Sequence, residues 1–513
     1  MIAEEKMEKT KRGILISTVM VSIFTIVIKF LGLVKQSVLA AYCGATIETD
    51  AFFVATGTMV SLCGTVFSAL SISLLTIHTE VLVNKGRNRA NELINAALHT
   101  FLPIAIILTL LFAMFSPVVA RFLAPTYQGE QLNDLAFDIR IMSVEFILYC
   151  YYLTVNTVLE TDKIFLPGKT IAFFQNVFLI VAAVAFYPLL GMNGMLYAFI
   201  LSGVVECVFV TIAAKGKFRF VIRRNGYRSE IKKLVSLTIP LLLGNAMYEV
   251  NQIVDNQIST GLGNGSASVL NYGASIHDMV VGVIVTSISV VLFSHCSTWV
   301  AQKQINEVEK SLESVLIYLT LILLPITVIC VIAGDQVVEL FYGRGSFGKN
   351  EIQQTYGVVI GYSLGFVFQA ARANLVKVFY AFQDSKTPMA NGMISIFCNV
   401  VLSILLSRFI GISGVALATS IAMLIATILL LKDVKKYLPD FSCRSCGSEI
   451  LKGLVATSFS TITLIMIRRV ANFNILLTLL VEGSSVVLVY GVVLYLLKSQ
   501  SIEFVLNLIR KRK

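Results

Sequence analysis

Hydrophobic and polar positions alternate along this chain in blocks of about twenty residues. Apolar runs long enough to cross a hydrocarbon core of roughly 30 Å as a helix fall at 13–42, 51–80, 92–120, 136–159, 166–187, 193–213, 233–259, 268–298, 313–333, 353–381, 388–407, 412–431, 449–467 and 473–497. A backbone in oil must satisfy its own hydrogen bonds, so fourteen such runs predict an all-α polytopic membrane protein. The start "MIAEEKMEKTKR" is polar, and the run after it is too long for a signal h-region and has no small-x-small cleavage site. It reads as a cytoplasmic tail (1–12) before a retained helix.

The punctuation of the spans repeats. "TDKIFLPGKTIAFFQNVFLIVAAVAFYPLLGMNGMLYAFILSG" and "QDSKTPMANGMISIFCNVVLSILLSRFIGISGVALATSIA" match at Asp162 with Asp384, Pro167 with Pro388, Asn176 with Asn399 and Gly194 with Gly414, a period of about 222 residues or six spans. Six is even, so both copies have one orientation, and a pseudo-twofold along the membrane normal relates such lobes in transporters. The expected organisation is a first lobe at 13–214, a basic linker at 215–232, a second lobe at 233–431, a loop at 432–448, two additional spans at 449–497, and a basic tail at 498–513.

Charge then sets orientation. Counting the span ends beside them, the tails and the loops after even-numbered spans hold thirty Lys and Arg, and the loops after odd-numbered spans seven. The positive-inside rule therefore puts both termini in the cytoplasm. Composition agrees, at 56% hydrophobic and 14% charged with mean hydropathy +0.82, against about 25% charged in soluble domains. The net charge of +11 is a topology and lipid-surface signal, with no need of nucleic acid. Seven of nine cysteines lie singly in spans, and "CRSC" (Cys443, Cys446) is half a zinc pattern without a second half, so no metal or cofactor is expected.

Polar residues inside the spans are the candidate chemistry. In span 1, Thr18, Ser22, Thr25, Lys29, Gly32 and Gln36 follow steps of four and three on one helical face. With the span starting near Gly13, Lys29 lies roughly 24 Å in, too deep for easy escape to the near surface. A central lysine costs about 2.5–3.5 kcal/mol by insertion scales, tolerable beside a wet cavity, and it suggests an anionic ligand. Lys35 lies about 120° around the helix, closer to the outer end, where snorkelling is the alternative. Span 7 offers another face: Asn245, Glu249, Gln252, Asn256 and Ser259, with Asp255 beside them. Glu249 is a candidate for a coupling proton or Na+, or for pairing with a lysine. Span 2 carries Asp50, Gly57, Ser61, Gly64, Ser68 and Ser71 at heptad-like steps; small residues in membrane helices usually pack, and that reading is preferred over lining a path. Asp50 sits at the outer mouth, placed to gate against Lys35.

The segments "FLGLVKQSVLAAYCGATIETDAFFVA", "IPLLLGNAMYEVNQIVDNQISTGLGNGSASVLNYG", "ELFYGRGSF" and "AFQDSKTP" resemble the lipid II flippases called MurJ or MviN, within a superfamily of polysaccharide and multidrug exporters. The resemblance covers spans 1 to 12. It implies a bacterial inner-membrane flippase that moves an undecaprenyl-pyrophosphate-linked cell-wall precursor outward, lipid II in the first place, by alternating access. It also implies membrane lipid and the lipid-linked sugar pyrophosphate as partners, cell-wall synthases as further ones, and a monomer. Lys29, Lys35 and Asp50 fall on motif positions that the family fills with Arg, Arg and Asp; Gln36 and Ser61 join them as substrate-binding candidates. Asn245, Glu249, Gln252, Asp255, Asn256 and His277 are candidates for coupling or cavity lining. In span 2 the family's basic pair is replaced by Cys63 and Gly64, and in span 8 its Asp-Arg by Ala274 and Ser275.

Three other readings compete with this one. A flippase for an O-antigen, capsule or teichoic precursor would use the same physics. A cation-coupled drug exporter would use the acidic face of span 7, but the lysine stripe repels cationic cargo. A membrane glycosyltransferase needs carboxylates near a sizeable outer loop, whereas the loops near 121–138 and 334–352 are short and their Glu130, Asp134, Asp335 and Glu339 are read as solvated.

Overall fold

The computed structural model describes residues 2–221, 227–441, 443–470 and 474–499. Parts of the linker, of the 432–448 loop and nearly all of the C-terminal tail lie outside these residues. So do the side chains of residues 1–22, of Asn245 and of Cys443 and Cys446. The described residues are helical with short joints, as an all-α polytopic membrane protein requires, and form two compact units, 1–268 and 269–513.

The first unit contains α1 (Ile2–Cys43), α2 (Ile47–Lys85), α3 (Arg87–Met114), α4 (Ser116–Leu123), α5 (Glu130–Met142), α6 (Glu145–Thr161), α7 (Thr170–Ala185), α8 (Tyr187–Leu190), α9 (Met192–Ala213) and α10 (Arg228–Gly261). The chain runs on through α11 (Ser266–Ala301), α12 (Ile305–Ile332), α13 (Gly334–Tyr342), α14 (Lys349–Ser363), α15 (Phe366–Ala381), α16 (Lys386–Ile410), α17 (Ile412–Asp433), α18 (Cys443–Val470) and α19 (Ile475–Leu496). Twelve stretches among the described residues are helical, long and apolar enough to cross a membrane. Spans 7 and 10 are helical too, as α10 and as α14 with α15. A joint at Leu364–Gly365 divides the second of these into α14 and α15.

Several predicted spans are broken helices. Span 3 divides at Phe115, where Pro117 cannot continue the preceding helix, and span 4 divides at Ser143–Val144. The loops read near 121–138 and 334–352 largely fold: α5 begins at Glu130, α13 fills Gly334–Tyr342 and α14 begins at Lys349. Asp335, expected in solvent, is instead half-buried in an ion pair with Arg468 at the end of α18.

The breaks repeat as the sequence punctuation does. The joints α3–α4 and α5–α6 correspond to α12–α13 and α14–α15. Lys163 and Gln383 both turn to positive φ, 62° and 60°. After them Ile164 N–H reaches Leu159 O at 2.9 Å, and Asp384 N–H reaches Phe379 O at 3.0 Å, the Schellman closure of a helix end. Gly191 and Gly411 share φ 59°, which a residue with a Cβ rarely adopts.

In the first unit α2 is central, packed on α5, α6 and α10, while α1 rests on α7. The α1–α7 contact runs through Phe24 against Phe173, with ring centres 5.9 Å apart, and through Asn176, which donates to Ile28 O at 3.3 Å. In the second unit α18 and α19 pack on α12 through two small apolar clusters, Leu321 with Ala456, Tyr490 and Leu494, and Val328 with Leu464 and Val486.

Candidate functional site

On α1 one stripe changes character along its length. Leu33, Gln36 and Ala40 are buried, at 3%, 5% and 0% exposure. Lys29, one turn earlier on the same stripe, is exposed. The exposed apolar residues Ile23, Ile26, Val27 and Phe30 lie about 60° to 160° away from Lys29 around the helix. Lys29 therefore sits where a buried stripe opens, at the edge of the face suited to acyl chains. Lys35 is half-buried. Among the described residues neither lysine has a hydrogen bond or an ion pair.

The middle of α2 settles how its small residues are used. A Cβ at Gly57 or Gly64 would meet nothing within 4 Å. Gly57 is exposed, and Ser61, Gly64 and Ser68 are half-buried. The preferred packing reading fails here: from 57 to 68 this stripe faces open space, and only Ser71, which bonds Thr157 Oγ1 at 3.2 Å, is packed. The open face is lined by glycine and serine, without the large apolar side chains that meet lipid on α1. It is an uncovered polar stripe.

Beside this stripe, α2 and α10 join in antiparallel register. Thr65 donates to Glu249, and seven residues away Asn256 donates to Thr58 Oγ1 at 3.0 Å. Glu249 thus takes a hydroxyl in place of a lysine, and 7% of it is exposed. At one end of the seam Asp50 is wholly buried. Its oxygens accept from Gly265 N, Ser268 N and Ser268 Oγ, each at 2.6 Å, so it caps the first turn of α11 and does not gate against Lys35. At the other end Lys85 pairs with Glu230 at 3.0 Å and Lys233 with Glu80 at 2.8 Å. Nearby, Asp162 takes Arg87 at 2.8 Å and Lys217 at 3.0 Å. Burial pushes its carboxyl up, but the two cations outweigh that and leave it below the ordinary range.

The remaining candidates are dispersed. Asp255 accepts from Asn251 on its own helix at 3.1 Å, and Gln252 is half-buried. In the second unit His277 is held by Gln369 Oε1 at 2.6 Å and Asp278 Oδ1 at 3.0 Å, and stacks on Phe366.

Sequence reasoning missed Thr58 and Thr65, because hydroxyls that bond across helices look like those that bond their own turn. It also missed Glu145 and Glu206, both wholly buried in the first unit. Glu206 accepts from Thr170 at 3.0 Å, while neither oxygen of Glu145 has a partner among the described residues. A lone acid in an apolar run, as in "VEFILYC" and "VVECVFV", was the signal available.

A family model described as lipid II flippase MurJ matches residues 39–498. The chain belongs to the lipid II flippase MurJ family. Among curated relatives it is similar to the "Probable lipid II flippase MurJ" of Treponema pallidum, 23% identical over 472 residues, covering 89% of this chain and 88% of that one. The Thermotoga maritima protein of the same description is 23% identical over 495 residues, covering 95% and 96%. Among solved structures, one described as "Lipid II flippase MurJ, inward closed conformation" matches with a TM-score of 0.81 at 21% identity, covering 96% of this chain and all of that one. An inward-facing multidrug transporter of the MATE family matches with a TM-score of 0.68 at 14% identity, covering 81% and 96%. At these identities the structures speak for the fold. The family's members are transporters of a lipid-linked substrate, and this chain is a multi-pass membrane transporter, not an enzyme.

Proposed function

We propose that this chain carries lipid II from the cytoplasmic to the outer leaflet of the bacterial inner membrane. Family membership supports the cargo, and one observation in the molecule supports the mode of binding. Lys29 stands within the membrane, on a face that opens, without a counter-ion. An unpaired cation in that setting is costly unless an anion visits it, and a pyrophosphate is such an anion. Lys29 and Lys35 neutralise it, Ser61 lines the approach, and the polyprenyl tail stays in lipid; Gln36, covered in this state, takes no part in it.

The two copies of the repeat, 13–214 and 233–431, are the moving bodies of an alternating-access cycle. For cargo to pass, the α2–α10 seam opens at one end at a time. The Asp50 cap closes the outer end, and the Lys85–Glu230 and Lys233–Glu80 pairs close the cytoplasmic end. The face of Asn245, Glu249, Gln252, Asp255 and Asn256 carries the coupling, with Glu249 exchanging Thr65 for a proton or Na+. Both termini are cytoplasmic, by the distribution of Lys and Arg. The protein works as a monomer and delivers its product to cell-wall synthases.

The test is reconstitution in proteoliposomes with a fluorescent lipid II, scoring arrival in the opposite leaflet. A charge-assisted hydrogen bond contributes about 1.5–3 kcal/mol, so Lys29→Ala should lower flipping at least tenfold while Lys29→Arg keeps most of it. Full activity in a well-folded Lys29→Ala protein would reject the assignment.

A further inference from the structure

A cavity of about 650 Å³ lies within the first unit at the end of α2 remote from Lys85. Its lining includes Glu48 from the first turn of α2, Asp134, Phe137, Asp138 and Arg140 from α5, and Asn193 from the start of α9. Asp134 and Asp138 are one helical turn apart and face the same way. Glu48, Asp134 and Arg140 are exposed at the mouth. Asp138 lies deeper, at 5% exposure, and has no hydrogen bond or ion pair among the described residues. Its oxygens keep contact with the cavity space, which has room for a small molecule, so a cation entering there meets a carboxylate that no protein group occupies.

We propose that this cavity binds an organic ammonium ion, with Asp138 as its buried counter-ion and Asp134 and Glu48 as the attracting rim. Three carboxylates against one guanidinium repel anions. A neutral sugar would leave the Asp138 charge uncompensated. A bare metal ion fits poorly, because no three His, Cys, Asp or Glu among the described residues converge closely enough to hold one, and the volume far exceeds what an ion fills. The ring of Phe137 adds a face that favours a cation with apolar substituents. None of this depends on which cargo crosses along α1 and α2.

The experiment is calorimetric titration of the purified full-length protein in detergent with putrescine and with tetramethylammonium, using N-acetylglucosamine and calcium chloride as contrasts. The expected result is saturable binding of an ammonium probe, weakened at least tenfold by Asp138→Asn and about threefold by Asp134→Asn. Asp134 is exposed, so its variant keeps the wild-type melting temperature and decides the matter alone if Asp138→Asn does not fold. Absence of ammonium binding to the wild type overturns the proposal, as does binding that both variants leave unchanged. Calcium binding with the same dependence on these carboxylates would make the cavity an inorganic-cation site, and sugar binding that survives both variants would make it a carbohydrate site; each refutes it.

Discussion

Gly64→Leu separates a groove from a packing surface. At Gly64 an added Cβ meets nothing within 4 Å, so the root of a leucine side chain there displaces no protein atom. Leaving glycine behind in a helix interior gains about 0.8–1 kcal/mol of helix propensity. The variant should therefore melt at the wild-type temperature or roughly a few degrees above it. Transport should suffer instead. A side chain forced into space that cargo must occupy costs about 1–3 kcal/mol by the measure of overpacked interiors, which is a factor of roughly 5 to 150 in rate or affinity. Gly203 on α9 is the contrast, since its Cβ would come within 2.9 Å of Leu148 Cδ1 and 3.4 Å of Glu145 Oε1. Gly203→Leu should lower the melting temperature clearly. The assays are thermal unfolding in detergent and flipping in proteoliposomes, on both variants side by side. If Gly64→Leu unfolds early, α2 packs through this stripe after all; if it flips at the wild-type rate, the open face is not the path.

Three further outcomes follow from the α2–α10 seam and the repeated joints. Asp50→Ala removes the acceptor of three hydrogen bonds to Gly265 and Ser268 and should cost about 1–2 kcal/mol as a lost cap, read as a lower melting temperature and faster hydrogen exchange at 265–268. Reversing Lys85 to Glu should slow transport through repulsion from Glu230, and adding Glu230→Lys should restore it; a double variant no better than the single one would remove these ion pairs from the gate. Asp384 is held at about 2 by the Thr387 hydroxyl first, then the Thr387 N–H, against an ordinary 3.8. Its contribution is complete above the unfolded value and lost as pH falls through about 2. The stability gap between wild type and Asp384→Asn, measured by unfolding at each pH, should be constant at pH 5 and above and close between about 4 and 2.

Much of this protein is legible in its sequence. Apolar run length fixes which segments cross a bilayer, and the punctuation at Asp162, Pro167, Asn176 and Gly194 carries the duplication, because a turn that needs a proline or a positive φ needs it in both copies. The run length does not mark the joints within α3–α4 and α5–α6, since a broken helix in oil stays apolar on both sides of the break. Lys29 was visible as a charge on a polar stripe. Its depth in the chain was readable, but the opening of its face depends on which turns of α1 are covered.

What a glycine or a carboxylate does was decided by its neighbours. Gly57 and Gly203 are the same residue to a sequence reader, yet one faces empty space and the other touches Leu148. Asp50 looked like a gate for Lys35 and became a cap, because the backbone N–H groups of Gly265 and Ser268, more than two hundred residues away, arrive first. Composition and local order are enough to establish the solvent, the spans, the repeat and the presence of positive charge within the membrane. The tertiary structure decided which polar groups satisfy one another and which are left open to a ligand, because hydrogen bonding and burial are properties of pairs brought together by the fold.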